Sequence, residues 1–528
     1  MLRLGREGDA NMRYLTSARR NSLARALVAF AVLGFGSAID AQVLEEIVVT
    51  AQRREQNIQD VPIAMTAVTA QSIEDKGLTN LAQVADYAPN VQMDSTSPFS
   101  GSSSVLSPYI RGIGQNDFAF NLEPGVGVYV DGVYLARTIG ANVDLLDIDR
   151  IEVLRGPQGT LFGRNTIGGA LNIITRRPTD EFSYKVELTG GEFNRIDARA
   201  SVDIPIIQGA LLSSFAASTK NRDGYQERIP FPGSSGFVFD GFDDFLTADR
   251  TVHGESGGED ADSVRGKLLW IASEALEVTF SADYSKVDEE GVPNTLLYLD
   301  VNPAPADPFD GLIDGTLAGL YNTCVALPPA VLAGIPPLAN TCLQPRAVIG
   351  TPMAGAAAPY LPYGPDLFIS DSFTETINPD TGQAQAFTAV GVDIDKSYAE
   401  GNNYSIIDNY GFGLTIDWDL AGGMNLKSIT AYRELDAKSG QDQDGAPIQI
   451  IDPSFDTHQE QVSQELQLSG RAFERLDWLA GLYYFQEDGD LTDFVTFPGG
   501  LLQIFGENFF DNEAWAAFTH LGFAVTDR

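Results

Sequence analysis

The sequence has few of the side chains on which metal sites and disulfide scaffolds depend. Its 528 residues include three His and two Cys. The histidines, His253, His458 and His520, are widely separated, and none lies in an HExxH or paired-cysteine context. A histidine-based zinc site is therefore not expected, and two cysteines are too few for a disulfide-dense scaffold. Beyond residue 41, no stretch approaches the roughly 20 apolar residues that a membrane-spanning helix needs.

Cationic side chains are also scarce. The chain carries 34 Lys plus Arg against 72 Asp plus Glu, which gives a net charge of −38. Nucleic acid is not expected as a partner, because phosphate binding needs clustered cations. So many carboxylates suit exposed loops or a water-filled lumen, where they stay solvated, better than a buried core. No catalytic residue, cofactor or metal site is predicted. A secreted hydrolase is an alternative, although no Asp/Glu pair stands out.

The first 41 residues have the pattern of an export signal. Arginines between Arg3 and Arg25 precede an apolar run from Ala26 to Ala38, and Ala41 offers a small residue for cleavage. A basic segment, a short apolar run and small residues near a cut site indicate a secretory signal peptide. The run is too short to span a bilayer as a helix. A buried core helix is the alternative, and Met12 is a second candidate start.

The next segment, residues 42–55, contains a short run of small and β-branched residues. Such a run can add as a strand to the edge of another protein's sheet. An ordinary first strand is the alternative. Five of the seven residues from Ile47 to Arg53 are of these types, namely Ile47, Val48, Val49, Thr50 and Ala51, and they follow Glu45 and Glu46.

Residues 56–180 form a compact unit with clear turn and cap patterns. Asn80 and Gln83 have the spacing of a capping box, and Pro89 stops the helix that they begin. Asp131-Gly132 between two apolar runs predicts a β-hairpin.

The densest motif of this unit lies between Ile151 and Thr175. Its glycines are Gly156, Gly159, Gly163, Gly168 and Gly169. No Gly-Lys-Ser/Thr is present and no GxGxxG begins a helix, so a phosphate-binding loop is not expected. Glycines at this density serve turns and close approaches of the backbone.

In their order along the chain, these motifs resemble the plug domain of TonB-dependent outer-membrane receptors. The signal peptide and Glu45–Ala51 are followed by Tyr109–Gly114, Val128–Val133, Arg150–Gly159 and Gly168–Ile174. Each motif is weak alone, whereas the ordered set over residues 42–180 is specific. The resemblance implies that Glu45–Ala51 is the TonB box, which pairs as a strand with the energy-transducing protein TonB. It also implies structural roles in the plug for Arg111, Gly112, Asp131, Gly132, Arg155 and the five glycines above, with Arg155 expected to pair with carboxylates of the barrel wall.

Past Pro178 the sequence alternates like a barrel wall. Apolar residues alternate with polar ones from Leu276 to Tyr284, from Tyr410 to Leu420 and, less cleanly, from Leu476 to Tyr484. Strands of about ten residues with one apolar face are typical of transmembrane β-barrels, and a soluble sandwich is the alternative. We predict about ten strands, near 182–190, 194–204, 209–220, 262–272, 275–288, 404–420, 424–436, 458–470, 474–488 and 512–525.

The predicted links between these strands favour the barrel. After a tight first link, short links near 207–209, 273–274, 422–423 and 472–473 alternate with long ones near 221–261, 289–403, 437–457 and 489–511. Outer-membrane barrels have short periplasmic turns and long extracellular loops. In a β-sandwich, short and long loops are not expected to lie at opposite ends of the strands.

The predicted fold class is mainly β, an α+β plug followed by an incomplete antiparallel transmembrane β-barrel. Ten strands are about half of the roughly 22 that plugged transporters use, so we expect the N-terminal portion of a longer receptor that does not transport by itself. The expected division is a signal peptide over 1–41, a TonB-box region over 42–55, a plug over 56–180 and a partial barrel over 181–528.

The resemblance implies active uptake, without catalysis, of a small extracellular ligand across the bacterial outer membrane. An iron–siderophore complex is the most frequent cargo of the family. A saccharide, a vitamin or a non-transporting surface barrel such as an adhesin are the alternatives. The expected partners are TonB, outer-membrane lipid and the ligand. Candidate ligand contacts are Asn116, Asp117, Phe118 and Phe120, for which a solvated loop is the alternative.

Two features of the predicted loops need separate expectations. Cys324 and Cys342 lie in the longest loop, and the exported location allows them to form a disulfide; free thiols or metal ligation are the alternatives. Asp442-Gln-Asp-Gly445 is only part of a calcium loop, because no Glu follows at the required spacing. We expect a solvated loop there.

Overall fold

The structure, a computed structural model, describes residues 47–50, 53–54, 56–95, 100–142, 144–229, 254–300, 329–334, 369–377, 379, 384–398, 403–443, 445, 451–473, 475–496 and 503–525. The expected signal peptide, the TonB-box residues Glu45, Glu46 and Ala51, and the expected Cys324–Cys342 disulfide lie outside these residues. The chain divides into the units Met1–Val48 and Val49–Arg528, and the plug and the wall lie in the second. No helix in the described ranges is long and apolar enough to cross a membrane.

The plug contains short strands, one α-helix and two 3-10 helices. The strands are β1 (Val48–Val49), β2 (Gln56–Asn57), β3 (Met65–Thr69), β4 (Val91–Asp94), β5 (Ser107–Ile110), β6 (Ile113–Gly114), β7 (Val126–Val130), β8 (Val133–Leu135), β9 (Ile148–Arg155) and β10 (Gly169–Thr175). The α-helix is Ala70–Lys76, and the 3-10 helices are Ile58–Asp60 and Leu81–Tyr87.

A mixed five-stranded sheet forms the centre of the plug. Its strand order is β3-β9-β10-β7-β8. Strand β10 is parallel to β7 and antiparallel to β9. The apolar side chains of β9 and β10, such as Ile151 and Leu171, are fully buried together with Leu81 and Val84 of the second 3-10 helix. Burial of each such side chain stabilises the plug by about 1.5–3 kcal/mol.

The local patterns of the plug explain its turns and caps. Asn80 and Gln83 form the reciprocal capping box that their spacing predicts, although the helix that follows is a 3-10 helix. Asp131 and Gly132 have φ angles of 49° and 87°. Both values lie in the left-handed region that two-residue hairpin turns require, so the prediction of a β7–β8 hairpin is confirmed.

Ten long strands form a second sheet, the wall. They are β11 (Ser183–Gly190), β12 (Ile196–Ile207), β13 (Leu211–Arg222), β16 (Glu259–Ser273), β17 (Leu276–Glu289), β22 (Tyr404–Leu420), β23 (Met424–Gly440), β24 (Asp452–Ala472), β25 (Leu476–Thr496) and β26 (Gln503–Phe523). They are hydrogen-bonded in this order, with β11 and β26 as the outer strands. The prediction of ten consecutive wall strands is confirmed, and each predicted range overlaps one of them.

Two small sheets lie in the connections between wall strands. The sheet β15-β14-β21 joins β14 (Gln226–Arg228), β15 (Gly254–Ser256) and β21 (Lys396–Ser397), and the sheet β18-β20-β19 joins β18 (Tyr298–Asp300), β19 (Ser370–Ile377) and β20 (Ala384–Val392). A short helix spans Pro329–Leu332.

The two faces of the wall differ in polarity. In the β17–β22 ladder, Phe280 lies opposite Leu414 and Ala282 lies opposite Phe412. Phe280 and Phe412 are both nearly half exposed, which suits side chains that face lipid. Asp283, on the other face of β17, forms an ion pair with Arg433 at 2.8 Å. The alternation therefore places apolar side chains outside and charged ones towards the plug, as in a membrane barrel.

The links that follow β23 and β25 differ from their predicted lengths. They comprise residues 441–451 and 497–502 instead of 437–457 and 489–511, because the strands extend further than predicted. In this part of the wall the outward-facing residues are polar as well. Examples are Asp436, His458 and Asp490, which lie side by side on β23, β24 and β25. Where both faces are polar, alternation of hydrophobicity gives no strand pattern.

Candidate functional site: the plug and its contacts with the wall

The described end of the predicted TonB box is docked on the plug sheet. Val49 is completely buried. The backbone N–H of Thr50 donates a 2.8 Å hydrogen bond to Glu152 Oε1, and its Oγ1 lies 3.1 and 3.2 Å from the two Glu152 oxygens. Glu152 is in β9, so this segment is attached to the central sheet of the plug.

Glu152 is a buried carboxylate at the centre of a polar network. Its side chain is fully buried and forms an ion pair with Arg150 Nε at 2.9 Å. Asn172 Nδ2 in β10 donates to Glu152 Oε2 at 3.1 Å and to Thr50 Oγ1 at 3.2 Å. A buried charge is stable only when it is paired and hydrogen-bonded. The docked segment therefore supplies part of the polar environment that Glu152 needs.

Arg53 holds the same segment to both the plug and the wall. Its Nε donates to the Leu161 carbonyl oxygen at 3.1 Å, and its guanidinium lies 4.6 Å from the centre of the Phe162 ring. Its Nη2 is 3.4 Å from Glu465 Oε2 in β24, and both side chains are nearly buried. Two residues, Thr50 and Arg53, thus attach the start of the plug at separate points.

We expect Glu152→Gln to loosen the docked segment. The amide keeps the size of the side chain but removes the charge that strengthens the hydrogen bond from Thr50, and such charge-assisted bonds exceed neutral ones by about 1–1.5 kcal/mol, or roughly tenfold in an equilibrium. Hydrogen exchange of the Thr50 amide, measured by mass spectrometry, is expected to accelerate about tenfold. The control is Glu123→Gln, which removes an exposed pair with Arg164. Equal exchange in both variants would show that Glu152 does not hold Thr50.

A buried ion pair joins the plug to strand β25 of the wall. Arg137, just after β8, contacts Glu487 of β25 through two bonds of 2.6 and 2.7 Å. Glu487 is fully buried and also accepts from Gln459 Nε2 at 3.0 Å. The guanidinium of Arg137 lies between the rings of Phe120 and Phe510, at 4.6 and 4.7 Å from their centres. This bidentate geometry fixes the orientation of the plug against β25 and β26.

The four predicted ligand contacts differ in their surroundings. Asn116 and Asp117 are exposed, and Asp117 Oδ1 accepts from the Ala119 N–H at 2.9 Å. Phe118 is buried and packs edge-on against Phe455 of β24, with ring centres 4.7 Å apart. Phe120 stacks on Phe510, with ring centres 4.0 Å apart. The two aromatic residues therefore anchor the segment to the wall, and the two polar residues face solvent.

Arg155 pairs within the plug, so the expectation that it contacts carboxylates of the wall is wrong. Its Nη1 donates to the Pro89 carbonyl oxygen at 3.1 Å and its Nη2 to the Met65 carbonyl oxygen at 3.2 Å. Through these two carbonyl oxygens the residue joins β9 to β3 and to the turn at Pro89. Arg111, by contrast, is exposed at a φ of 54°.

The glycines of the densest motif serve turns and close contacts. Gly156, Gly163 and Gly169 have positive φ angles of 96°, 89° and 156°. A Cβ at Gly168 would lie 2.8 Å from the Ile113 carbonyl oxygen. Their structural role remains a prediction from the resemblance, and these geometries support it.

Asp131 connects the β7–β8 turn to the wall. It accepts from the backbone N–H of Thr175 at 2.9 Å and forms an ion pair with Lys267 of β16 at 2.9 Å. Burial alone would raise the pKa of the Asp131 carboxyl, but Lys267 and the hydrogen bonds from Thr175 hold this pKa below its usual value. The carboxylate is thus ionised at neutral pH and can keep Lys267 as its partner.

Metal-ligand side chains come together at one place in the described chain. Glu434, Asp436 and His458 lie close enough to share a cation. His458 Nδ1 is already 2.6 Å from Asp436 Oδ1, and Tyr410 and Tyr432 both donate to Glu434. These contacts satisfy the group without a metal.

The expectation of a solvated loop at Asp442 is wrong. Its side chain is buried, Oδ1 accepts from the Gly445 N–H at 2.7 Å, and Oδ2 is 3.7 Å from Arg228 of β14. The connections that follow β13 and β23 contact each other here, which the sequence of a single loop does not reveal.

Sequence reasoning missed Glu152, Arg137 and Glu487. The first two lie within or beside motifs quoted for the plug, so their position could have drawn attention to them. Glu487 lies in a polar stretch, Gln486-Glu-Asp488, where no pattern distinguishes it.

Comparisons with known proteins agree with this arrangement. Residues 57–170 match the TonB-dependent Receptor Plug Domain. The ferripyoverdine receptor of Pseudomonas aeruginosa is 26% identical over 186 residues, 34% of this chain and 22% of that protein. The vitamin B12 transporter BtuB of Vibrio vulnificus is 26% identical over 258 residues, 47% of this chain and 40% of that protein. The solved structure of the pyoverdine outer membrane receptor FpvA from Pseudomonas aeruginosa, bound to pyoverdine, has a TM-score of 0.57 at 15% identity, covering 91% of this chain and 57% of that one.

The matched part of this chain spans less than half the length of those curated relatives. The structural likeness shows a shared fold, a plug with part of a β-barrel. These relatives are named as a receptor and a transporter, not as enzymes. Residues 57–170 are therefore a TonB-dependent receptor plug domain, and the chain is similar to TonB-dependent receptors of the outer membrane.

Proposed function

We propose that this chain takes part in TonB-driven uptake of a scarce small ligand across the outer membrane. The observation that carries the proposal is the docked segment at Val49 and Thr50, which joins the predicted TonB box directly to the central plug sheet through Glu152. A force applied to residues 45–51 would act on the plug through this connection. The network of Glu152, Arg150 and Asn172 supports a plug that is held until its N-terminal segment moves.

TonB is the proposed partner, and Glu45–Ala51 is the proposed contact. The apolar and β-branched residues Ile47 to Thr50 suit strand addition, in which main-chain hydrogen bonds supply most of the affinity. Thr50 cannot pair its N–H with a partner strand while that group donates to Glu152. Binding of TonB as far as Thr50 therefore requires this bond to break.

The proposed ligand is a ferric siderophore. The ferripyoverdine receptor of Pseudomonas aeruginosa, a protein similar to this chain, is named for the ferric complex of pyoverdine. A vitamin is the second candidate. Of the two curated relatives described above, the vitamin B12 transporter matches the larger share of this chain. Asn116 and Asp117 are proposed as the polar contacts, with Phe118 and Phe120 holding their segment against the wall.

Replacing residues 45–51 by an equally long Gly/Ser segment tests the function. The replacement keeps the length of the N-terminal segment but removes the strand-forming side chains. Because these 528 residues are not expected to transport by themselves, the replacement is made in a complete receptor that contains them. We expect uptake of radiolabelled ferripyoverdine or vitamin B12 by cells that produce this receptor to be lost, while binding of the same probe at the cell surface persists. An adhesin would be indifferent to the change. Equal uptake with and without the replacement would refute TonB-driven transport, and so would an intact protein that takes up neither probe nor any other siderophore in a panel.

A further inference from the structure

The interface between plug and wall is tight on one side. Towards β23–β25, Phe118 and Ile139 of the plug pack in a buried apolar cluster with Leu435, Phe455 and Leu491. The buried pair of Arg137 and Glu487 lies on the same side. Opening this region would expose apolar surface at a cost of about 25 cal/mol per Å² and leave a buried charge without its partner.

Towards β13–β17 the same interface is polar and contains space. A cavity of about 330 Å³ lies between Ser104 and Asn142 of the plug and Lys220 and Asp283 of the wall. Residues 257–259 and 290–293, which belong to the connections after β13 and β17, also line it. A volume of this size is at the lower limit for a small-molecule site, roughly 300 Å³, so a larger ligand could enter only after the plug moves.

A second and larger cavity follows on the same side. Its volume is about 1300 Å³, and it lies between Glu74 and Ile148 of the plug and the strands β11 and β12. Leu146 and Arg222 line both cavities. The two spaces therefore adjoin each other along the β11–β17 side of the plug.

A cluster around Asp144 lies where the two cavities adjoin. Asp144 Oδ2 is 2.8 Å from Lys220 Nζ, and Oδ1 is 3.6 Å from Arg199 Nη2. Lys220 Nζ also donates to the carbonyl oxygen of Thr79 at 3.2 Å, and Ser218 Oγ donates to Asp144 at 3.2 Å. Asp144 and Lys220 line the first cavity, and Thr79 and Arg199 line the second.

We propose that the ligand passes between plug and wall on the β11–β17 side, through these two cavities, and that the contacts of Asp144 with Lys220 and Arg199 are the gate between them. This inference rests on the uptake proposed above. Asp144 and Lys220 are nearly buried, but both line the first cavity, so water can replace their contacts when the plug moves. On the β23–β25 side, the apolar cluster and the buried Arg137–Glu487 pair hold the plug against the wall. The plug then rearranges locally and stays in the wall.

Cross-linking across the gate tests the route. Asp144→Cys and Lys220→Cys are introduced into the whole protein with Cys324→Ser and Cys342→Ser, and a short, reducible bifunctional thiol reagent bridges the pair. The control pair is Ala136→Cys and Gln461→Cys on the tight side, where the Ala136 N–H donates to Gln461 Oε1 at 3.2 Å. Uptake of radiolabelled ferripyoverdine, or of whichever probe the parent protein takes up, is compared before bridging, after bridging and after reduction.

We expect the bridge at the gate to abolish uptake and reduction to restore it, while the control bridge leaves uptake unchanged. Loss of uptake with both bridges would show that the plug must leave the wall as a body, and it would overturn the local route. Unchanged uptake with the gate bridged would overturn it as well. These two results require a parent protein that transports, so they are distinct from failure of the proposed function, in which the parent takes up no probe and the route falls with it.

Discussion

Replacement of Arg137 by alanine is expected to lower the free energy of unfolding by about 3–5 kcal/mol, the usual cost of removing one partner of a buried ion pair. Glu487 is fully buried, so the loss of Arg137 leaves an uncompensated carboxylate that water cannot reach. Its remaining donors, Gln459 and Asn512, are neutral and cannot balance the charge. Urea unfolding of the purified protein in detergent micelles measures the effect.

Two further variants separate this explanation from simple loss of packing. In Arg137→Met with Glu487→Leu, the charge and its partner are both absent, and most of the stability should return. Arg177→Ala removes a second bidentate pair, with Glu277 at 2.6 and 2.7 Å. The Arg177 side chain is 60% exposed, so its loss should cost no more than about 1 kcal/mol. Equal losses in the Arg137 and Arg177 single variants would mean that burial is not the cause.

Gly169→Ala is expected to destabilise the plug by about 2–6 kcal/mol, because overpacking and backbone strain each contribute roughly 1–3 kcal/mol. Gly169 pairs with Arg155 at the start of β10 and has a φ of 156°. A Cβ there would overlap the Leu154 carbonyl oxygen and lie 2.7 Å from Ile110 Cδ1. The oxygen belongs to β9, so relief requires the two central strands to separate.

The matched control for Gly169 is Gly163→Ala in the same motif. Gly163 has a φ of 89°, but a Cβ there would meet nothing within 4 Å. Only the unfavourable backbone conformation should contribute, at about 1–2 kcal/mol. Urea unfolding and the rate of protease cleavage within the plug report both variants. If the two cost the same, steric conflict between β9 and β10 is not the reason for a glycine at position 169.

The elements that the sequence predicted well are those whose two faces differ. Leu276 to Tyr284 and Tyr410 to Leu420 alternate because one face meets lipid, and both segments are wall strands that pair with each other. The Asp131-Gly132 turn could be predicted because few residues adopt its backbone conformation. These patterns depend on local chemistry alone.

The sequence was uninformative where strand length, burial or the partner of a side chain depends on residues far away in the chain. The stretch from Asp452 to Thr457 is mostly polar and was predicted as part of a loop, yet it forms the first part of β24. Phe118 and Phe120 were expected near a ligand, but their burial depends on Phe455 and Phe510, which are hundreds of residues away. The partners of Arg155 are backbone carbonyl oxygens, which no sequence pattern identifies.

The positions of Thr50 and Arg53 determine how the N-terminal segment responds to mechanical tension. A force applied ahead of Thr50 reaches its contacts with Glu152 first and is transmitted to Arg53 only after they yield. Contacts loaded in series break one after another, so the peak force is set by the strongest single attachment and not by their sum. A weak, sustained pull could therefore release the segment stepwise, whereas the wall, whose strands share load side by side, would stay intact.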